Sequence, residues 1–228
     1  MPSAVSFQLD EPPIVDFRSV LPTILEARDL TKRFTGPPLF SGLSFRIEKG
    51  LLAVTGRNGS GKTTLIKILA SLLRPGAGIV RIERAGKELS GDERRLAVGW
   101  AGPDLAFYDD LSAVETLAFF RKAAGRQADA AELERRLADT GLELSAARRR
   151  VGGYSTGMKQ RLRIAFALLF DPPVLLLDEP ALGLDAEGRA AVEGVIARRR
   201  REAVVVVASN DPTDFAAPDR VIELGRSR

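Results

Sequence analysis

Two short stretches of this 228-residue chain carry side chains whose types and spacing suit phosphate chemistry. Gly56-Arg57-Asn58-Gly59-Ser60-Gly61-Lys62-Thr63-Thr64 satisfies G-x-x-x-x-G-K-[ST] without a gap. A loop of that composition turns its backbone N–H groups inward from Gly56 through Arg57, Asn58, Gly59, Ser60 and Gly61, with no Cβ at the glycines to obstruct a polyphosphate. Lys62 is then placed to reach the β- and γ-phosphates, Thr63 to set a hydroxyl on Mg²⁺, and Thr64 to bond a neighbouring phosphate oxygen. The second stretch, Val174-Leu175-Leu176-Leu177-Asp178-Glu179, ends an apolar run in two carboxylates. Asp178 suits a water-mediated hold on Mg²⁺, and Glu179 suits a base that polarises an attacking water.

Those groups act only if elements hold them at one place. Leu51 to Thr55 reads as a buried strand leading into the glycine loop, and Leu65, Ile66, Ile68, Leu69 and Leu72 recur at helical spacing after it. Strand, loop and helix N-terminus together form an anion site. The spacing predicts that this helix runs to about Leu73 and stops at Arg74-Pro75-Gly76. Val174 to Leu177 is of the fully buried strand type, which directs Asp178 and Glu179 to the sheet's C-terminal edge. Further strands are predicted over Thr23–Leu30 (Leu25, Ala27 and Asp29 sharing one face), around Leu43–Ile47, over Gly78–Glu83, Leu96–Trp100, Ala203–Ala208 and Val221–Leu224. Helices are predicted over Ser112–Lys122 with a capping box to Glu115, Asp129–Thr140 closed by Gly141, a stretch from Ser155, and Asp185–Arg201.

Tyr154-Ser155-Thr156-Gly157-Met158-Lys159-Gln160-Arg161 lies between the two chemical stretches. A helix opening on a serine hydroxyl and a glycine N–H is itself an anion site, although the same letters also make a plain N-cap. With this segment directly ahead of the Asp178-Glu179 strand, the sequence resembles the ATP-binding cassette (ABC) ATPase family over about residues 24–225. The resemblance implies an α/β P-loop NTPase core with a mostly parallel sheet, an antiparallel β part near the N-terminus and an inserted helical subdomain. It divides the chain into a proline-rich extension (1–23) and an ATPase domain (24–228), with core segments 24–101 and 171–228 around a helical subdomain at 102–170. ATP and Mg²⁺ are the implied ligands. Ser155 and Gly157 would cap the ATP held by a second, head-to-tail ATPase subunit, and Leu182-Gly183-Leu184-Asp185 fits the loop that crosses that interface. Phe34 fits the family's adenine-stacking aromatic. Gly188, Arg189 and Tyr154 to Arg161 look closest to the exporter-type branch, whose transmembrane permease subunits are separate chains.

Two positions depart from the pattern. Aligned on Val98-Gly99-Trp100, the family's glutamine position holds Pro103, and Asn210 stands where the family has a catalytic histidine. Thr156 replaces a common glycine. Hydrolysis is therefore expected to be slow, with Glu179, Lys62 and Asn210 as the catalytic set.

Composition bounds the rest. A hydrophobic share of 45% with 28% charged residues is that of a globular domain. No apolar run reaches bilayer length, residues 1–23 lack the basic start and apolar centre of a signal peptide, and cysteine is absent. A cytoplasmic location is expected, peripheral to the membrane through the partner. The net charge of +4 concentrates at Arg148–Arg150 and Arg198–Arg201 without interleaved aromatics, so no nucleic-acid partner is expected. Two other readings stay open: an ATP-gated dimerisation module with very slow hydrolysis, and a soluble ABC ATPase acting on nucleic acid or protein assembly.

Overall fold

The computed structural model describes residue 17 and residues 21–210 and 217–225. Most of the 1–23 extension lies outside these residues. Within it, Phe17 is buried beneath the Arg84 guanidinium, 4.9 Å from its ring centre, and Thr23 already opens the first strand.

Strands β1 (Thr23–Lys32), β2 (Phe40–Ile47), β4 (Ala77–Arg84) and β5 (Lys87–Glu88) form an antiparallel sheet in the order β2-β1-β4-β5. The other sheet is parallel, in the order β6-β7-β8-β3-β9, from β3 (Gly50–Gly56), β6 (Val98–Ala101), β7 (Val174–Asp178), β8 (Val204–Ala208) and β9 (Arg220–Leu224). The described helices are α1 (Lys62–Leu69), α2 (Gly91–Leu96), α3 (Ala113–Ala123), α4 (Ala130–Ala138), α5 (Leu144–Ala147), α6 (Thr156–Ala167) and α7 (Ala186–Arg199), with a 3₁₀ turn at Val151–Gly153. This is the P-loop NTPase cassette architecture.

Strands β7 and β8 are buried at every residue, which is why their sequences are unbroken apolar runs. Successive side chains leave opposite faces of the parallel sheet. Leu52, Val54, Leu176 and Val206 join α1 and the antiparallel sheet in one core, while Leu51, Leu175, Leu177, Val205 and Val207 join α6 and α7 in another. A third cluster belongs to the helices, from Ala113, Leu117, Leu133 and Leu137 to Leu162 and Leu169.

Several predicted boundaries move for identifiable reasons. Helix α1 ends at Leu69, short of Leu73, because Ser71 turns to φ 60° and the amides of Leu72 and Leu73 both return to the Lys67 carbonyl. Leu72 is left exposed. In β1 the alternation fails at Asp29, which adopts φ 51° at a register shift. The bulge exposes Asp29 and puts Leu30 in the core instead. The capping box at Ser112 forms in full: Glu115 N–H donates to Ser112 Oγ at 3.2 Å, and Ser112 N–H donates to Glu115 Oε2 at 2.8 Å. Strand β5 and helices α2 and α5 are too short to leave a periodic signal and were not predicted.

Candidate nucleotide site

The glycine loop leaves β3 and enters α1 through Gly61, which caps the helix at φ 99°, a conformation that a residue with a Cβ adopts only under strain. Lys62 therefore starts the helix with only 6% of its surface exposed. Its Nζ donates to the Gly56 carbonyl at 3.0 Å and to Asn210 Oδ1, and lies 3.8 Å from Glu179 Oε1. The lysine thus bends back over its own loop and joins β3, β7 and the end of β8 at one point. Arg57, Asn58 and Gly59 are exposed at the rim.

Asp178 is 1% exposed, and neither carboxylate oxygen has a hydrogen-bond partner within normal length among the described residues. Burial pushes its carboxyl above the usual range, with the Thr63 hydroxyl and then the Lys62 ammonium pulling the other way. A buried carboxylate with unclaimed oxygens beside a threonine hydroxyl is a donor set of the hard-oxygen kind that suits Mg²⁺. Among the described residues no cluster of three or more acidic side chains exists to hold an ion alone.

Glu179 is half-buried and adopts φ 49° immediately after the strand. Burial raises its carboxyl, opposed first by Lys62 and then by the backbone N–H of Asn210. A raised carboxylate next to a cation is poised to take a proton.

Of the other predicted residues, Phe34 is 61% exposed with the Lys32 ammonium 4.9 Å over its ring, so the core does not claim it. Ser155 is exposed at the start of α6 and its Oγ accepts from the Met158 N–H at 3.2 Å, which leaves its O–H free to donate outward. Gly157 carries a close approach: a Cβ there would stand 2.8 Å from the Gly183 carbonyl. Asp185 is occupied structurally, since one carboxylate oxygen caps α7 at the Gly188 N–H and receives Arg161 at 2.7 Å. Pro103 is exposed, and its carbonyl accepts from Arg163 Nη2 at 2.9 Å.

Three groups escaped sequence reasoning. Gln160, 2% exposed, donates to the carbonyls of Glu179 and Pro180, both at 3.3 Å. Arg163 and the Lys67–Asp104 ion pair hold the Pro103 loop from two sides. All act over long sequence separations on backbone or loop atoms, which no local motif records.

The family model described as ABC transporter matches residues 40–182. The chain belongs to the ABC transporter family. It is 40% identical over 171 residues to the daunorubicin resistance ATP-binding protein DrrA3 of Streptomyces coeruleorubidus, covering 71% of this chain and 52% of DrrA3. To the ABC transporter ATP-binding protein NatA of Bacillus subtilis (strain 168) it is 33% identical over 174 residues, covering 74% of this chain and 70% of NatA. The chain thus spans about half the length of the first relative. Among solved structures, the dimeric structure of MJ0796, a bacterial ABC transporter cassette, superposes with a TM-score of 0.74 at 22% identity, over 88% of this chain and 94% of that one. At that identity the likeness is one of fold. Lys62 at the start of α1, the Ser155-capped helix α6 and the Asp178-Glu179 strand end follow one another in that order along the chain. Among the described residues no helix is long and apolar enough to cross a membrane.

Proposed function

We propose that the chain is the ATP-binding and ATP-hydrolysing subunit of an ABC transporter, and that two copies pack head to tail around ATP to drive a separate transmembrane permease subunit. The observation that carries this reading is the meeting of Lys62 with Glu179 and Asn210, beside a buried, unclaimed Asp178. In this reading ATP draws the Lys62 ammonium from the Gly56 carbonyl and Asn210 onto the β- and γ-phosphates. The exposed Phe34 ring takes the adenine. Asp178 and Thr63 would hold Mg²⁺, which would supply charge neutralisation at the phosphate oxygens. Glu179 accepts a proton from the attacking water as its oxygen bonds to the γ-phosphorus, and the bond to the β-phosphate oxygen breaks to leave ADP. Ser155 O–H and the Gly157 N–H, at an exposed helix N-terminus, close on the nucleotide of the other subunit, and the Leu182–Asp185 loop lies at that interface. The dimeric MJ0796 cassette supports the assembly. Residues 102–170 are read as the helical subdomain, with the insert around Trp100 to Leu117 as the face that meets the permease.

Pro103 favours a second reading, an ATP-gated dimerisation module with very slow turnover, because it contributes neither a side-chain amide nor an N–H. One experiment separates these from a soluble ATPase. Affinity-tagged chain is isolated from detergent-solubilised membranes of its own host, and phosphate release is measured before and after reconstitution with what co-purifies. A co-isolated membrane protein that accelerates phosphate release is the expected result. Brisk hydrolysis without any membrane partner would replace the transporter reading with the soluble one.

A further inference from the structure

We propose that Arg163 is a positioning residue that couples the exposed Pro103–Leu105 loop to the backbone of Glu179; this rests on reading the site as an ATPase. Arg163 lies on α6, and its guanidinium is spent on neutral oxygens. Nε donates to the Leu105 carbonyl at 2.8 Å, Nη2 to the Pro103 carbonyl at 2.9 Å, and Nη1 to Gln160 Oε1 at 3.2 Å. Gln160 passes the connection on through its Nε2, which donates to both the Glu179 and the Pro180 carbonyls. Every atom in this path is fixed by geometry. A planar fork with donors in set directions joins two carbonyls of one loop to one amide, and that amide is buried.

What the path reaches is equally specific. Glu179 sits at φ 49°, in the left-handed region that a residue with a Cβ occupies only when its surroundings over-determine it. The hydrogen bonds from Gln160 fix the peptide planes on its C-terminal side, and so the direction in which the carboxylate leaves the backbone. Between the Pro103 and Leu105 carbonyls, Asp104 ties the loop to α1 through its ion pair with Lys67, five residues beyond the phosphate-binding lysine. A displacement of residues 103–105 is thereby delivered to the proton-accepting residue through backbone carbonyls. The side chain at position 103 takes no part, which is why a proline is tolerated there.

The test uses the purified full chain with Arg163→Ala, Arg163→Lys, Gln160→Ala and the Arg163→Ala/Gln160→Ala double variant, each checked for native circular dichroism. Arg163's hydrogen bonds among the described residues go to Leu105, Pro103 and Gln160 and none to the glycine loop, so the Kd for Mg·ATP should stay within about twofold, while kcat falls about tenfold or more as Glu179 loses its alignment. Arg163→Lys should restore only part of kcat, because an ammonium cannot serve three acceptors set by a fork. The double variant should cost no more than the worse single one, since both cut the same path. A second readout is independent of turnover. Trp100, the sole tryptophan, lies with its ring against Gly102 at the start of the loop, so its emission in nucleotide-free protein should shift in Arg163→Ala. Unchanged kcat, costs that multiply in the double variant, or Arg163→Lys behaving as wild type would each overturn the coupling. A wild-type chain that binds Mg·ATP without hydrolysing it overturns the ATPase reading instead, and Trp100 emission then decides the clamp alone: a shift upholds it, no shift overturns it.

Discussion

Replacing Asn210 with histidine should raise the turnover of the isolated subunit, and the structure sets the size of the gain. Asn210 Oδ1 accepts from Lys62, so the side-chain N–H₂ is the donor left for a γ-phosphate oxygen, and it is uncharged. A net hydrogen bond between neutral groups is worth about 1 kcal/mol, and one to a charged group about 1.5–3 kcal/mol. Because the phosphate oxygen is already charged, the exchange of an amide for an imidazolium moves the bond within that charged range and adds roughly 0.5–1.5 kcal/mol at the transition state, or about 2–13-fold in kcat. A neutral imidazole donates no better than the amide, so the gain belongs to the protonated form. It should be larger near pH 6 than near pH 8, around the ordinary histidine value of about 6.5. Because the chain has no other histidine, this dependence has one source. Steady-state phosphate release at saturating Mg·ATP, measured for both proteins across that range, supplies the ratio. Glu179 is common to both and cancels. A ratio of one at every pH would refute the reasoning and place the γ-phosphate out of reach of residue 210.

Other consequences concern single residues. Lys62→Ala removes one charge-assisted donor and leaves the loop amides, so the Kd for Mg·ATP should weaken by roughly 10–150-fold in equilibrium titration. Burial raises the Asp178 carboxyl, so the native state holds its proton more tightly than the unfolded chain. The stability it contributes is therefore full below the unfolded carboxylate value and lost as pH rises through the folded one. At neutral pH Asp178→Asn should raise the melting temperature of nucleotide-free protein, by about 2–4 °C for each ~1 kcal/mol recovered, and Mg·ATP should stabilise it less than wild type. Ser112→Ala abolishes a capping box and should cost about 0.5–2 kcal/mol in denaturant unfolding, with little change in ATP affinity.

The glycine loop and the acidic strand end were legible because each is local: a turn, a helix start and a buried strand write themselves in consecutive residues. The capping box at Ser112 was legible for the same reason. The bulge at Asp29 was not, since a φ of 51° in a non-glycine residue leaves no mark in an alternating pattern. Nor was the early end of α1, where Leu72 continues the helical spacing after the backbone has turned away. Asp185 was read for its place at an interface, and its sequence neighbours gave no sign that Arg161 engages the same oxygen that caps α7. The arginine runs were legible in part. Arg198 and Arg199 do end a helix, but the Arg148–Glu134, Arg150–Asp110 and Arg200–Asp219 pairs need the fold to bring distant carboxylates beside them.

The central claim is that Glu179 ends the life of a dimer that ATP creates. Glu179→Gln keeps the side chain's size and removes the base, so ATP should bind, close two subunits through Ser155 and Gly157, and remain. Sedimentation velocity of this variant measures it, with ATP and Mg²⁺ and again with ADP. A dimer of twice the 24.7 kDa chain mass with ATP, returning to monomer with ADP, is the predicted result. Monomer under both conditions at high protein concentration, with ATP shown to be bound, would contradict it.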